Sequence, residues 1–212
     1  MMDLHHGDTK LIIEACLAAG LLRNQCAYVL ATAWHETAHT MKPIRERGGD
    51  QYLKAKKYYP YVGMGYVQLT WRANYEKAGK RLGVDFVKHP KYLLKAEHAA
   101  PILVIGMAEG WFTGKKLSDY MTLRKSDFVQ ARRIVNGMDR AELIADHAKQ
   151  YDALLKAAGY GVDAPSPLPA TEQPAKTQSP PAPAPVAKRS FADVVKALAA
   201  WLLSLISGRK DD

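Results

Sequence analysis

Eight of the chain's twelve prolines fall between residues 161 and 190, in a stretch with almost no large apolar side chains. A segment of this kind cannot bury enough surface to offset its ordering entropy, so it reads as an extended linker with polyproline character. This divides the 212 residues into three parts. Residues 1–160 mix apolar, polar and charged positions as a folded domain does. Residues 161–190 are the Pro/Ala-rich linker. Residues 191–208 return to strong hydrophobicity. About 160 residues suffice for one domain with a core of its own and no disulfide staples.

Within residues 1–160 the dominant period is helical. LIIEACLAAGLL and NQCAYVLATAWHETAHTM both suit helices, with Asn24 placed to cap the second. HAAPILVIGMAEGWF predicts a buried helix with a proline near its start. SDFVQARRIVNG opens on a Ser/Asp cap signal and stops at Gly137, and DRAELIADHAKQYDALLKAAG predicts a last amphipathic helix closed by Gly159. YYPYVGMGYVQLTW, rich in aromatics, β-branched residues and glycine, predicts loop or short strand. The expected fold class is mainly α, with a small irregular or β region inserted near residues 43–75. Cys16 and Cys26 lie in apolar helical contexts without metal-ligand spacing and read as buried free thiols, which fits synthesis in a reducing compartment.

The net charge of +9 favours anionic partners, among them nucleic acid, anionic lipid and bacterial cell wall, without choosing between them. The N-terminus opens with an acid and two histidines, and Glu14 breaks its apolar run, so a cleavable signal peptide is not expected. In residues 191–208, Phe191, Val195, Leu198, Leu202 and Leu205 recur in steps of three and four. The weakly polar run after Lys196 is well short of the roughly 20 residues a bilayer span needs. An amphipathic helix lying on an anionic membrane, flanked by Lys188, Arg189, Arg209 and Lys210, is therefore expected, with a helix docked on protein as the alternative.

The sharpest local pattern is HETAH, from His35 to His39. On one helix face, His35 and His39 at i and i+4 would be two zinc ligands and Glu36 a general base. The sequence that follows, MKPIRERGG, supplies no third histidine. The other chemistry is glycoside hydrolysis, which needs two carboxyl groups across the scissile bond. One must keep its proton near neutral pH, which an apolar surrounding favours. Glu36, at the end of the apolar run AYVLATAW, has the setting expected of that acid. Glu46, in the basic loop KPIRERGGD between Arg45 and Arg47, is the expected ionised partner.

Three motifs in order then favour the second chemistry: His35-Glu36-Thr37, the run Gly63–Tyr75 (GMGYVQLTWRANY), and Ile134-Val135-Asn136-Gly137. Together they resemble the active-site motifs of glycoside hydrolase family 19, which includes plant-type chitinases and phage endolysins, over about residues 25–155. The resemblance implies a lysozyme-like helical domain. It implies Glu36 as general acid, Thr70 as the residue holding the nucleophilic water, and Gln68, Asn74 and Asn136 as cleft residues that bind sugar. The short spacing from Glu36 to Glu46 resembles the phage-type members. Met64 departs from the family's usual arginine between the two glycines. Tyr66, Trp71, Tyr75 and Trp111 are candidates for stacking on sugar faces.

The function so implied is endo-acting cleavage of β-1,4 bonds in amino-sugar polymers by an inverting mechanism. Peptidoglycan is the expected substrate and chitin the alternative, while an HExxH zinc protease and a non-catalytic wall-binding module remain as other classes. No metal or organic cofactor and no nucleic acid is called for, and a monomer is expected. The chain would be made in the cytoplasm and act on the cell wall, held at a membrane by its C-terminal helix.

Overall fold

The computed structural model describes residues 2–161. The expected linker at 161–190 and amphipathic helix at 191–208 lie outside the described residues, apart from Gly161. The described part is helical, as expected: α1 (Thr9–Ala18), α2 (Arg23–Glu36), α3 (Asp50–Lys54), α4 (Arg72–Leu82), α5 (Ala96–Glu109), α6 (Leu117–Tyr120) and α7 (Ala141–Ala157), with 3-10 turns at Pro90–Leu94 and Gln130–Ile134. Two short strands, β1 (Ile44–Arg45) and β2 (Met64–Gly65), pair antiparallel with Ile44 opposite Gly65 and Arg45 opposite Met64. They fall in the region expected to be irregular or β.

Helix α2 is the axle of the fold. Every residue from Gln25 to Ala33 is buried, so the helix is enclosed on all sides rather than amphipathic. Alanines and Cys26 let its neighbours approach closely; it packs chiefly on α7 and also touches α1 and α5. Cys16 and Cys26 sit in this core as free thiols. A second apolar cluster, with Leu53, Val62, Leu69, Tyr75, Phe86 and Leu93, supports α3, the strands and α4. Helix α5 serves both clusters, giving Leu103 and Val104 to the first and Ile102 to the second.

Helix ends follow their local chemistry, with two corrections. Gly110 and Gly159 take the left-handed conformation just past α5 and α7, where glycine carries no Cβ penalty. Asn24 does not cap α2. The helix begins at Arg23, two residues earlier than that cap implies, and the Gln25 side chain accepts from Leu22 N–H. Asn24 Nδ2 instead donates to the carbonyls of Thr122 and Lys125, fastening the loop before the second 3-10 turn. SDFVQARRIVNG is not an α-helix. Asp127 Oδ1 accepts from Gln130 N–H as a cap would, but only the tight turn Gln130–Ile134 follows.

Candidate active site

Where α2 leaves the core it delivers Glu36. Thr37 stops the helix there: its hydroxyl donates to Ala33 O and accepts from Met41 N–H, and Ala38, His39 and Met41 all take positive φ. Such backbone is costly for non-glycine residues and persists only when surrounding contacts impose it. The N-terminal arm supplies those contacts. Asp8 N–H donates to Met41 O, and the His6 ring nitrogen lies 2.9 Å from His39 O.

This removes the geometric premise of a zinc reading. His39 lies beyond the end of α2, with its ring stacked on Trp34 at 4.7 Å, so His35 and His39 do not share a helix face. Among the described residues no group of three His, Cys, Asp or Glu side chains is placed to hold a metal ion.

Glu36 lines a cavity of about 300 Å³ together with His35, Arg45, Arg47 and Gln68. The apolar surrounding expected for it is corrected. Its Oε1 accepts from Arg132 Nη1 at 2.8 Å, with the Glu36 side chain 22% and Arg132 3% exposed. Arg132 Nε also donates to Asp139 O, so the guanidinium is fixed at two points. Desolvation lowers the His35 pKa, against the opposing pull of Glu36, and Arg132, Arg140 and His39 lower it further, all favouring the uncharged ring beside Glu36.

Glu46 is half-buried rather than loosely solvated between arginines. Tyr58 Oη donates to its Oε1 at 2.6 Å and Gly63 N–H to its Oε2 at 3.0 Å. Arg45 lies instead 4.0 Å from Asp50. The Tyr58 phenol pKa is pushed up to about 12, chiefly by the hydrogen bond to Glu46. Gly63 links Glu46 to the second motif, since a Cβ there would lie 2.9 Å from Gln68 Oε1 and 3.3 Å from Thr70 Oγ1. Gln68, at φ 54°, donates from Nε2 to Ile44 O and Gly65 O, so its side chain ties β1 to the loop while lining the Glu36 cavity. Thr70 donates to Gln68 O, and Asn74 Nδ2 donates to Thr70 O.

The expected site residues therefore divide. Glu36 and Gln68 share one cavity, and Glu46, Gly63, Gln68 and Thr70 form one hydrogen-bonded or contacting group. Asn74 buttresses Thr70, and neither it nor Asn136 lines the Glu36 cavity. Asn136 is exposed, and its Oδ1 accepts from Gly137 N–H. Trp71, half exposed and set edge-on to Tyr58 at 5.3 Å, remains free to stack on a sugar.

Tyr66 does not. It is 1% exposed, in the main core, with its hydroxyl donating to Asp8 Oδ2, because the loop turns it inward against the N-terminal arm. Tyr75 is likewise buried, its hydroxyl bound to Val62 O. Trp111 carries the Lys77 ammonium over its ring and donates from Nε1 to Glu109.

Sequence reasoning passed over Arg132 and Tyr58. Arg132 sits in ARRI between buried Ala131 and Ile134, a setting in which an arginine is buried only when paired. That was its one readable signal. Tyr58 carried none, being one of three tyrosines in KKYYPYV.

No family model matches the chain. It is 32% identical over 124 residues to an acidic endochitinase of Dioscorea japonica, a match covering 54% of this chain. The chain spans about half (47%) the length of that curated relative. Chitinase C from Streptomyces griseus HUT6037 superposes with a TM-score of 0.51 at 20% identity, covering 69% of each chain, and shares the fold. The mainly α architecture is thus shared with a solved chitinase, and in sequence over part of its length and in fold the chain is similar to chitinases.

Proposed function

We propose that the chain is a glycoside hydrolase that cleaves β-1,4 bonds in amino-sugar polymers with inversion. The observation that carries this is the meeting of Glu36 and Gln68 around one cavity, with Glu46 joined to Gln68 and Thr70 through Gly63. Arg132 takes Glu36 Oε1, and no hydrogen bond to Oε2 exists among the described residues. In this reading Oε2 is the oxygen open to the glycosidic oxygen and delivers the proton to it, which Glu36 takes up against the pull of the guanidinium on Oε1. Glu46 uses both oxygens as acceptors, as an ionised carboxylate does. In this reading it draws a proton from water on the opposite face of the sugar. The Thr70 hydroxyl hydrogen is committed to Gln68 O, which leaves its oxygen to accept from that water. Inversion requires about 6.5–9.5 Å between the two carboxyls.

Peptidoglycan is the proposed substrate, supported by the net charge of +9 and by Arg45 and Arg47 on the cavity wall, which suit an anionic polymer. Chitin is the second reading, favoured by the likeness to an endochitinase in sequence and to a chitinase in fold. Mass analysis of purified peptidoglycan and of chitin oligomers after digestion separates the two. Release of reducing-end muropeptides supports the first, chitin fragments alone the second, and intact polymers in both reactions refute the activity.

The apolar spacing in 191–208 and its basic flanks support a role for that segment at an anionic membrane surface, with action on the cell wall from there. Deleting residues 188–212 is expected to weaken binding to anionic vesicles, and unchanged binding excludes the anchor.

A further inference from the structure

At the end of α2 away from Glu36, residues 122–125 form a tight turn, closed by Thr122 N–H donating to Lys125 O at 2.8 Å. Turn tips are normally built from glycine, proline, asparagine, aspartate or serine. This one presents Leu123, 84% exposed, followed by Arg124 and Lys125. A lone exposed leucine is ordinary. What sets this one apart is its mounting. Asn24 Nδ2 shares its two hydrogens among Thr122 O, Lys125 O and Ser126 Oγ, at 2.8, 3.2 and 2.9 Å, and Gln25 Nε2 donates to Met121 O at 3.0 Å. Met121 and Phe128, on either side of the turn, are held in the main core. Leu123 is therefore kept off the domain by a fixed support.

The same end carries a second exposed leucine and free positive charge. Leu17 is 40% exposed in the last turn of α1, which leads directly into α2. Arg124 and Lys156 are exposed and in no ion pair among the described residues. The acids close by are engaged: Asp127 with Lys125, Asp152 with Arg23, and Asp119 with Lys116 N–H. Lys156 lies one turn beyond Asp152 on α7, on the same helix face.

Helix α7 runs antiparallel to α2. Asp139, just before it, meets Arg132 beside Glu36, and Asp152 meets Arg23 at the other end. Tyr160 then donates its hydroxyl to Leu21 O at 3.0 Å. The described chain thus leaves the domain beside the Leu123 turn, and α2, with 14 residues, puts the Glu36 end about 20 Å away.

We infer that this end of the domain is a contact surface for an anionic lipid bilayer. Leu123 enters the boundary between headgroups and acyl chains, and Arg124, Lys125 and Lys156 meet lipid phosphates, the pairing of apolar side chain and cation that holds proteins at such surfaces. Two separate leucines without an aromatic anchor suit lipid better than a protein partner, whose interface needs about 800 Å² from each side. The contact rests on the turn itself. Its cooperation with the tail rests on the reading of residues 191–208 as a membrane segment, because a tether joined at Gly161 does not orient a domain and a second contact at the point of exit does. The Glu36 cavity then faces away from the bilayer.

The test uses the full chain at low salt, with vesicles of phosphatidylglycerol and phosphatidylethanolamine and with neutral phosphatidylcholine vesicles. Leu123→Asp is expected to weaken binding to the anionic vesicles about 10-fold, and Leu123→Phe to retain it. Arg124→Ala/Lys156→Ala is expected to weaken it about 5- to 25-fold, and binding to neutral vesicles less than about twofold. All are surface positions, so each variant should melt as the wild type does. Leu123→Cys carries an environment-sensitive dye, since Cys16 and Cys26 are buried. Its emission should shift to the blue on anionic vesicles, and should still do so at raised lipid concentration when the tail is disabled by Leu198→Asp/Leu202→Asp. A dye that stays in water on vesicles the protein has bound overturns the contact and leaves the tail anchor standing. So does binding that falls in the tail variant but not in Leu123→Asp. Binding that falls in Leu123→Asp but not in the tail variant sinks the tail anchor and leaves the contact standing. A wild type that binds neither vesicle overturns both, and a dimer that Leu123→Asp dissolves without changing vesicle binding gives the turn to a second copy of the chain and overturns the lipid assignment.

Discussion

The guanidinium of Arg132, almost wholly buried, donates to Oε1 of Glu36 at 2.8 Å across 96 positions of sequence. This pair joins the end of α2 to the turn Gln130–Ile134 and leaves Oε2 of Glu36 without a hydrogen bond among the described residues. Arg132→Met is expected to reduce stability by about 1.5–3 kcal/mol, the worth of a hydrogen bond to a charged group. It should also cut turnover about 100-fold by misplacing Glu36. Arg132→Lys keeps the charge but not the fork that reaches both Glu36 and Asp139, so it should restore stability more than activity. Denaturant melts and rates on the same preparations check both, and a fully active Arg132→Met variant would remove the positioning role.

Glu46 and Tyr58 form a second readable pair. Replacing Glu46 by Gln should lower turnover by about 10²–10⁴ if it is the general base. The same substitution takes away the charged acceptor that raises the phenol, so the Tyr58 pKa should fall from about 12 towards its ordinary value near 10. Ultraviolet titration of wild type and variant measures the second effect independently of the first. A Tyr58 that titrates unchanged would mean that the hydrogen bond does not form.

Gly63 has no room for a side chain. Gly63→Ala would place a Cβ 2.9 Å from Gln68 Oε1 and 3.1 Å from Gln68 Cβ. The expected result is a cost of about 1–3 kcal/mol from overpacking. A drop in activity larger than that stability loss explains should accompany it, because Gln68 and Thr70 must move. Rates taken well below the melting temperature separate the two.

Acid should destabilise the domain in part through His147. Burial lowers its pKa, and neighbouring His39 and His35 lower it further, against a weaker opposing pull from Asp146. Its Nδ1 is buried without a hydrogen-bond partner among the described residues, and the His39 ring stands edge-on at 6.1 Å. A folded-state pKa below the unfolded value, about 6.5, means that the unfolded chain binds more protons in that window. Stability is then fully present above about pH 6.5 and is lost as pH falls through the lower folded value. His35, shifted in the same direction, adds to the slope. Melting temperatures of wild type and His147→Gln between pH 5 and 8 should show a shallower fall for the variant, and identical slopes would contradict the assignment.

Local signals made α5 and α7 legible, whereas α4, which stops at the left-handed Gly83 in the same way, was passed over. Gly110 and Gly159 stop α5 and α7 because the left-handed residue after a helix favours glycine regardless of what packs nearby. The apolar run before Glu36 announced α2 for a similar reason. What failed was decided by contacts distant in sequence. Asn24 looked like a cap but is drawn to carbonyls about 100 positions away, and Tyr66 looked like a cleft aromatic but is turned inward by Asp8. The partner of Glu36 lay outside any local window, since nothing in HETAH points to Arg132. The end of α2 at Thr37 was within reach, because a threonine hydroxyl can bond back to the carbonyl four residues earlier and close a helix.

In the proposed function Glu36 donates the proton that breaks the glycosidic bond. The most direct test is the turnover of one defined amino-sugar oligomer by wild type and by Glu36→Gln, with far-UV circular dichroism and melting temperature measured on both. Turnover in the variant is expected to vanish while the spectrum and cooperative melt are retained, since glutamine keeps an oxygen for Arg132 but carries no transferable acid proton. A Glu36→Gln enzyme that cleaves at the wild-type rate would contradict the account.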